Sequence, residues 1–175
     1  MEYVVLGLGS NKPFDGISCV EILSRACAAI SQFISGLELS SVYRTGAMYV
    51  CGQDDFYNMV AAGNYSGTPE SLLERIHQVE NSFGRNRAAE FRNGPRTLDI
   101  DIELFGSQTV RTPSLTVPHE RLFERSFVLV PLLEVLKKNA DANKAGIAVC
   151  SEHLAGLKGQ RIELFCSGES LLESG

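Results

Sequence analysis

At 175 residues with 44% apolar side chains, the chain has the length and composition of a single globular domain able to bury a core, which excludes general disorder. Its net charge of −5 and pI of about 5.2 argue against a general binder of nucleic acid or of anionic membranes, so any basic surface must be local. Five cysteines (Cys19, Cys27, Cys51, Cys150, Cys166) are odd in number, scattered and without a Cys-x-x-Cys pair, which speaks against a disulfide framework or a zinc site.

A reducing cytoplasm fits that usage. Met1 and Glu2 offer no basic leader, Tyr3 to Leu8 is too short for a signal core, and no apolar run approaches membrane length. The expectation is a soluble cytoplasmic monomer.

Tyr3 to Leu8 is a compact β-forming run that stops at the turn cluster Gly7-Leu8-Gly9-Ser10-Asn11. Val20, Leu23, Cys27, Ile30 and Ile34 step by three and four, which predicts a helix from about Gly16 to Ile34 with one buried stripe. Leu37 to Tyr43 and Phe56 to Asn64 read as strands joined by an irregular loop. Thr68 as N-cap with Pro69 at the first helical position opens a second helix, striped by Leu72, Ile76, Val79 and Phe83 and ended by Gly84. An arginine-rich loop, Arg85 to Gly94, leads into the next strand; its glycine bounds and its shortage of acidic neighbours predict that it is open when empty and closes on an anion. Beyond Gly106 the pattern weakens to a turn region up to His119, a helix from about Phe127 to Lys137, a polar stretch, a short helix near Ile147 to Leu154 and a strand from Arg161 to Phe165. No repeat and no interdomain linker is evident, so residues 1–175 are expected to form one domain.

The order β-α-β-β-α-β predicts a ferredoxin-like α+β sandwich, an antiparallel sheet with helices on one face, extended by C-terminal elements. The other face of the sheet would stay free for a site.

Pro95-Arg96-Thr97-Leu98-Asp99-Ile100-Asp101-Ile102 supplies the chemistry for such a site. Strand side chains alternate and rise about 3.3 Å per residue, so Asp99 and Asp101 share a face with their roots roughly 7 Å apart. Leu98, Ile100, Ile102 and Leu104 are assigned to the core side. A bare Asp-x-Asp is equally the polar face of a half-buried strand; here Arg85, Arg87, Arg92 and Arg96 lie close in sequence, and guanidinium groups fork onto phosphate oxygens. Two carboxylates with arginines and no obvious general base suit Mg²⁺ bridging phosphate oxygens, the economy of phosphoryl transfer. His119 is either a phosphate contact or general acid, or a structural turn residue. Tyr43, Phe56, Tyr57 and Phe127 either stack a flat ring or serve the core. Gly9-Ser10-Asn11 lacks the Gly-x-x-x-x-Gly-Lys pattern and is read as a turn. Glu103 shares the aspartates' face and is read as a strand-end surface acid in preference to a third metal ligand.

Taken in order, Gly9-Ser10-Asn11, Ser41-Val42-Tyr43-Arg44-Thr45, Gln53, Phe56-Tyr57-Asn58, Gly84-Arg85-Asn86-Arg87, the Pro95 to Ile102 segment, Val117-Pro118-His119 and Arg125 to Leu132 resemble the 6-hydroxymethyl-7,8-dihydropterin pyrophosphokinases of folate biosynthesis. The resemblance spans roughly residues 3–135. It implies transfer of the β,γ-pyrophosphoryl group of ATP to the pterin hydroxymethyl oxygen with release of AMP, and two Mg²⁺ ions on Asp99 and Asp101. Arg85 and Arg96 would join those aspartates in catalysis. Phe56 and Phe127 would sandwich the pterin, Asn58 would bond its edge, and backbone near Thr45 and Met48 would complete the pocket. Glu80, Arg85, Arg87, Arg96, Ile102, Thr116, His119 and Arg125 match ATP-side positions. The chain departs from the pattern at Gly46-Ala47, where the family usually has proline, and at Asn93, Ser114 and His77; the first of these implies a looser pterin-side loop. Two rival readings are a metal-dependent phosphohydrolase, which needs no aromatic slot, and an RNA-binding ferredoxin-like module, which the acidic pI and the missing aromatic signatures oppose.

Overall fold

The computed structural model describes residues 1–46, 54–85 and 94–173. Strand β1 (Glu2–Ser10) alternates two apolar sets, Val4, Leu6 and Leu8 toward one face and Val5 toward the other, and Gly7 and Gly9 share the face of Val5. Helix α1 (Cys19–Ile30) follows, capped by the Ser18 side chain, which accepts from the backbone N–H of Glu21. Strands β2 (Ser35–Leu39), β3 (Val42–Thr45) and β4 (Phe56–Tyr65), helix α2 (Pro69–Ser82) and strand β5 (Asp99–Phe105) complete the β-α-β-β-α-β core.

The sheet runs β5-β1-β4-β3, with β2 also on β4, and every pairing is antiparallel. Inserting β4 between β1 and the β2–β3 pair is the ferredoxin-like split. Thr68 and Ser71 form a reciprocal capping box at the start of α2, as the threonine-proline signature predicts, and Gly84 after its end has φ +73°.

Several elements differ from the sequence reading for identifiable reasons. The turn read at Gly7 to Asn11 is strand as far as Ser10, because Gly9 and Ser10 pair with Asn58 and Tyr57 on β4. Helix α1 is shorter than 16–34 at both ends. Asp15 and Gly16 have positive φ beside a Phe14–Ile17 bridge, which excludes helix there, and Ile34 is buried although it follows the helix, so the apolar period outlasts the helix. The strand expected over 37–43 breaks at Ser40-Ser41, where the Ser40 hydroxyl accepts from Val60 N–H at 2.9 Å in place of a ladder bond. Leu104 does not share the face of Ile100 and Ile102. The register jumps from Leu6↔Ile102 to Val5↔Leu104, so β5 carries an extra residue, Glu103, and alternation resets beyond that bulge. Phe105 takes the core position instead.

The first core lies between the sheet and α1 and α2, where Ile22, Leu23, Leu72 and Ile76 meet Leu6, Ile100 and Ile102. The opposite face is only partly open, contrary to the expectation that it stays free. After a short hairpin of β6 (Val110–Arg111) and β7 (Thr116–Val117), helices α3 (Ser126–Lys138) and α4 (Lys144–Gly156) cover Val5, Val60 and Ala62. Val128, Leu129, Leu132, Leu133, Val135 and Leu136 are buried along α3, more than one stripe, because this helix packs on both the sheet and α4. Strand β8 (Ile162–Cys166) pairs with β3 at the sheet edge, and α5 (Gly168–Glu173) returns over α1, burying Leu171. No described helix is long and apolar enough to cross a membrane.

Candidate active site

Where α3 begins, the glycine-floored end of the sheet remains uncovered and forms a cleft of about 700 Å³ counted out to its open mouth. Glycine at positions 7 and 9 leaves the sheet bare there: a Cβ on Gly9 would meet Asn58 Oδ1 at 2.8 Å, and one on Gly7 would meet Glu103 Oε1 at 2.9 Å. One wall carries Asp99, Asp101, Glu103, Arg96 and Arg125; the other carries Thr45, Phe56, Asn58, Phe127 and Val128. The acidic strand and the aromatic pair, 43 positions apart between Phe56 and Asp99, are thus joined in one site by the β1–β4 and β1–β5 pairings.

The charges are organised around Glu80. This carboxylate is fully buried at the end of α2, accepts from the Ile100 N–H at 2.9 Å and pairs with Arg85, which also binds Asp99 and donates to the Leu98 carbonyl at 3.0 Å. Arg96 reaches the second oxygen of Asp99 at 2.7 Å, and is itself set by Asn11, whose side chain accepts from Arg96 N–H at 2.8 Å. The turn residues after β1 therefore orient an arginine of the site. Burial works to raise the Asp99 pKa, but the Arg85 and Arg96 guanidiniums outweigh it and hold the carboxyl below its ordinary value. Asp101 is pushed up to about 6, by burial first and then by the charge of Asp99, with Arg125 at 3.4 Å opposing the shift.

Burial and then Arg125 lower the His119 pKa to about 4, so the ring is neutral at pH 7. Its Nδ1 accepts from Arg121 N–H at 3.1 Å, which leaves the ring proton on Nε2, 3.8 Å from Asp101 Oδ2. His119 is therefore a hydrogen-bond donor here and has no imidazolium proton to offer as a general acid.

Several sequence-derived assignments change in the fold. Glu80 is sealed from solvent, so it supports Arg85 and β5 and cannot itself touch a ligand where it stands. The Ile102 side chain is 3% exposed in the first core; only its backbone is available to a ligand, at the outer edge of β5. Tyr43 turns its hydroxyl to Glu134 and Tyr57 packs edge-on against Phe165, leaving Phe56 and Phe127 as the aromatics of the cleft among the described residues. Glu103 is not a surface acid but 1% exposed, with its pKa raised to about 8 by burial first and the Asp101 charge second. The bulge that buries it has no sequence signature. Thr116 is exposed on β7, beside β5. Met48, Arg87, Arg92, Asn93, Ala47 and most of the arginine-rich loop lie outside the described residues.

A family model described as 7,8-dihydro-6-hydroxymethylpterin-pyrophosphokinase matches residues 5–137. The chain belongs to that family. It is a transferase: the activity of the family is ATP-dependent pyrophosphoryl transfer to hydroxymethyldihydropterin in folate biosynthesis. The chain is 38% identical over 135 residues to the 2-amino-4-hydroxy-6-hydroxymethyldihydropteridine pyrophosphokinase of Bacillus subtilis (strain 168), covering 73% of this chain and 80% of that protein. It is 33% identical over 175 residues to the mitochondrial folate synthesis bifunctional protein of Pisum sativum, covering 98% of this chain and 32% of that one. In fold, the chain resembles the Plasmodium falciparum HPPK-DHPS crystallised with pteroate, with a TM-score of 0.59, 14% identity, and coverage of 76% of this chain and 40% of that one.

Divalent metal fits the donor set. Asp99 and Asp101 present oxygen ligands alone, from one strand face at the cleft wall, and Mg²⁺ takes one or two carboxylates, with substrate phosphates and water completing its shell.

Proposed function

We propose that the cleft binds ATP along its charged wall and the reduced pterin between Phe56 and Phe127, and transfers the β,γ-pyrophosphoryl group within it. The observation that carries the reading is the meeting of an arginine-bound aspartate pair and an aromatic pair across a glycine floor. Asn58, already donating to Thr45 Oγ1 at 2.7 Å, would hold the pterin edge, with backbone at Thr45 and Met48 closing the pocket. Arg85, Arg87, Arg96 and Arg125 would neutralise the triphosphate, while Thr116, His119 and the Ile102 backbone would face the nucleotide at the outer edge of β5. Asp99 and Asp101 would hold two Mg²⁺ ions, whose chemistry is to offset the phosphate charge as it shifts onto the leaving oxygen.

The substrate hydroxymethyl oxygen attacks the β-phosphorus, the bond from that phosphorus to the α,β-bridging oxygen breaks, AMP departs and the hydroxyl proton passes to solvent. Arginines contribute charge stabilisation in place, and the aromatic slot fixes the attacking oxygen in line. The working unit would be residues 1–175 in a reducing cytoplasm.

The deciding measurement is AMP release from ATP with Mg²⁺, with and without 6-hydroxymethyl-7,8-dihydropterin. Strict dependence on the pterin, lost in EDTA and restored by Mg²⁺, is expected. Equal AMP or phosphate release without pterin would make the chain a phosphohydrolase.

A further inference from the structure

Burying Glu103 costs the fold something that the charge of Arg125 offsets only in part. The bulge in β5 brings its carboxyl over Gly7 in the cleft, with Oε1 2.9 Å from where an alanine Cβ would stand. The residue is 1% exposed, and Oε2 is buried without a hydrogen-bond partner among the described residues. Buried carboxyl oxygens are costly unless bonded, and an unsatisfied one lining a cleft points to a partner that arrives with a ligand.

We propose that Glu103 is a substrate-contacting specificity residue, whose carboxyl receives a hydrogen bond from an N–H or O–H of the pterin. The inference rests on the pyrophosphokinase reading above. A triphosphate is the poorer partner: it brings only acceptors, whereas the carboxyl, protonated or not, keeps an acceptor oxygen that needs a donor. A reduced pterin brings ring N–H donors and a hydroxymethyl O–H, and its slot between Phe56 and Phe127 opens onto the same floor. Gly7, half-buried and with no Cβ, is what admits the carboxyl; a methyl there would push it off the cleft wall.

The test is calorimetry of the pterin on protein loaded with a non-hydrolysable ATP analogue and Mg²⁺, for the unaltered chain, Glu103→Leu, Glu103→Gln and Gly7→Ala. Glu103→Leu is expected to lose about tenfold or more in pterin affinity, the scale of one buried hydrogen bond, with analogue affinity unchanged and a melting temperature no lower than that of the unaltered chain. Glu103→Gln keeps an acceptor oxygen and should lose less; Gly7→Ala should lose affinity while retaining the carboxyl. Unchanged pterin affinity in Glu103→Leu overturns the proposal and leaves the reaction assignment standing. A parallel loss for both ligands with a lower melting temperature also overturns it, because that is the signature of a structural residue. Failure of the unaltered chain to bind pterin would sink both readings.

Discussion

Single carboxylates in this protein have opposite electrostatic fates four residues apart on one strand. Asp99 is held ionised by Arg85 and Arg96, whereas Glu103 is lifted to about 8 by burial and by Asp101. For Glu103 the unfolded chain loses its proton near 4.5 and the folded chain only near 8, so the folded state binds more protons between those values and stability falls as pH rises through the window. Metal-free Glu103→Gln should therefore melt higher than the unaltered chain at pH 8, with the gain shrinking toward zero at pH 4.5; thermal scans in EDTA would show it, and a pH-independent difference would contradict it. Asp99→Asn and Asp101→Asn should each lower kcat by about a hundredfold or more at saturating Mg²⁺, since several kcal/mol of charge stabilisation depend on these oxygens. Turnover near that of the unaltered enzyme in either variant would remove the metal role.

At the scale of elements, α3 is tied to the strand break by polar contacts as well as by its apolar side. Glu134 accepts from Ser41 N–H at 3.0 Å, from the Ser41 hydroxyl at 2.8 Å and from the Tyr43 hydroxyl at 3.0 Å, and Lys138, one turn on, donates to the Leu39 carbonyl at 2.8 Å. Together they satisfy backbone that the β2–β3 break releases from the ladder. Glu134→Ala should cost about 1–3 kcal/mol in urea unfolding, the range for stranding partly buried donors. Because α3 also carries Phe127 into the cleft, the same variant should raise KM for the pterin; a change in stability with no change in KM would separate the break from the site. Phe56→Ala and Phe127→Ala, which delete the two sides of the slot, should weaken pterin binding by calorimetry far more than ATP binding, stacked pairs being worth about 0.5–1.5 kcal/mol beyond their burial.

For the molecule as a whole, the matched family region ends at residue 137, yet the sheet does not. β8 adds to β3, the Ser24 hydroxyl donates to the Leu171 carbonyl at 2.8 Å, and Leu171 is 1% exposed against α1. Deleting 161–175 should remove about 2–5 kcal/mol, the range for losing a buried leucine and its supports, and expose the edge of β3. Since β3 ends at Thr45 in the cleft wall, pterin affinity should fall with stability, whereas the Asp99 region on the opposite side of the sheet should keep its ATP affinity. Equal stability of the shortened chain would assign these elements no structural role.

Local chemistry was enough to determine much of this protein from sequence: the β-α-β-β-α-β order, the Thr68-Pro69 helix start, the Gly84 stop, and the shared face of Asp99 and Asp101, because propensity, capping and two-residue alternation act over a few residues. The motif order likewise carried the family. Other features were decided by partners distant in sequence. The break at Ser40-Ser41 depends on Glu134, 93 residues away, the burial of Glu80 depends on Arg85 and β5 closing over it, and the second helical layer depends on α3 finding Val5 and Val60. Glu103 is the sharpest case. Alternation alone places it with the aspartates on an outer face, and only the shift in register against β1, set by the packing of Phe105 and Leu104 into different cores, turns it from a surface acid into a buried carboxyl on the cleft wall.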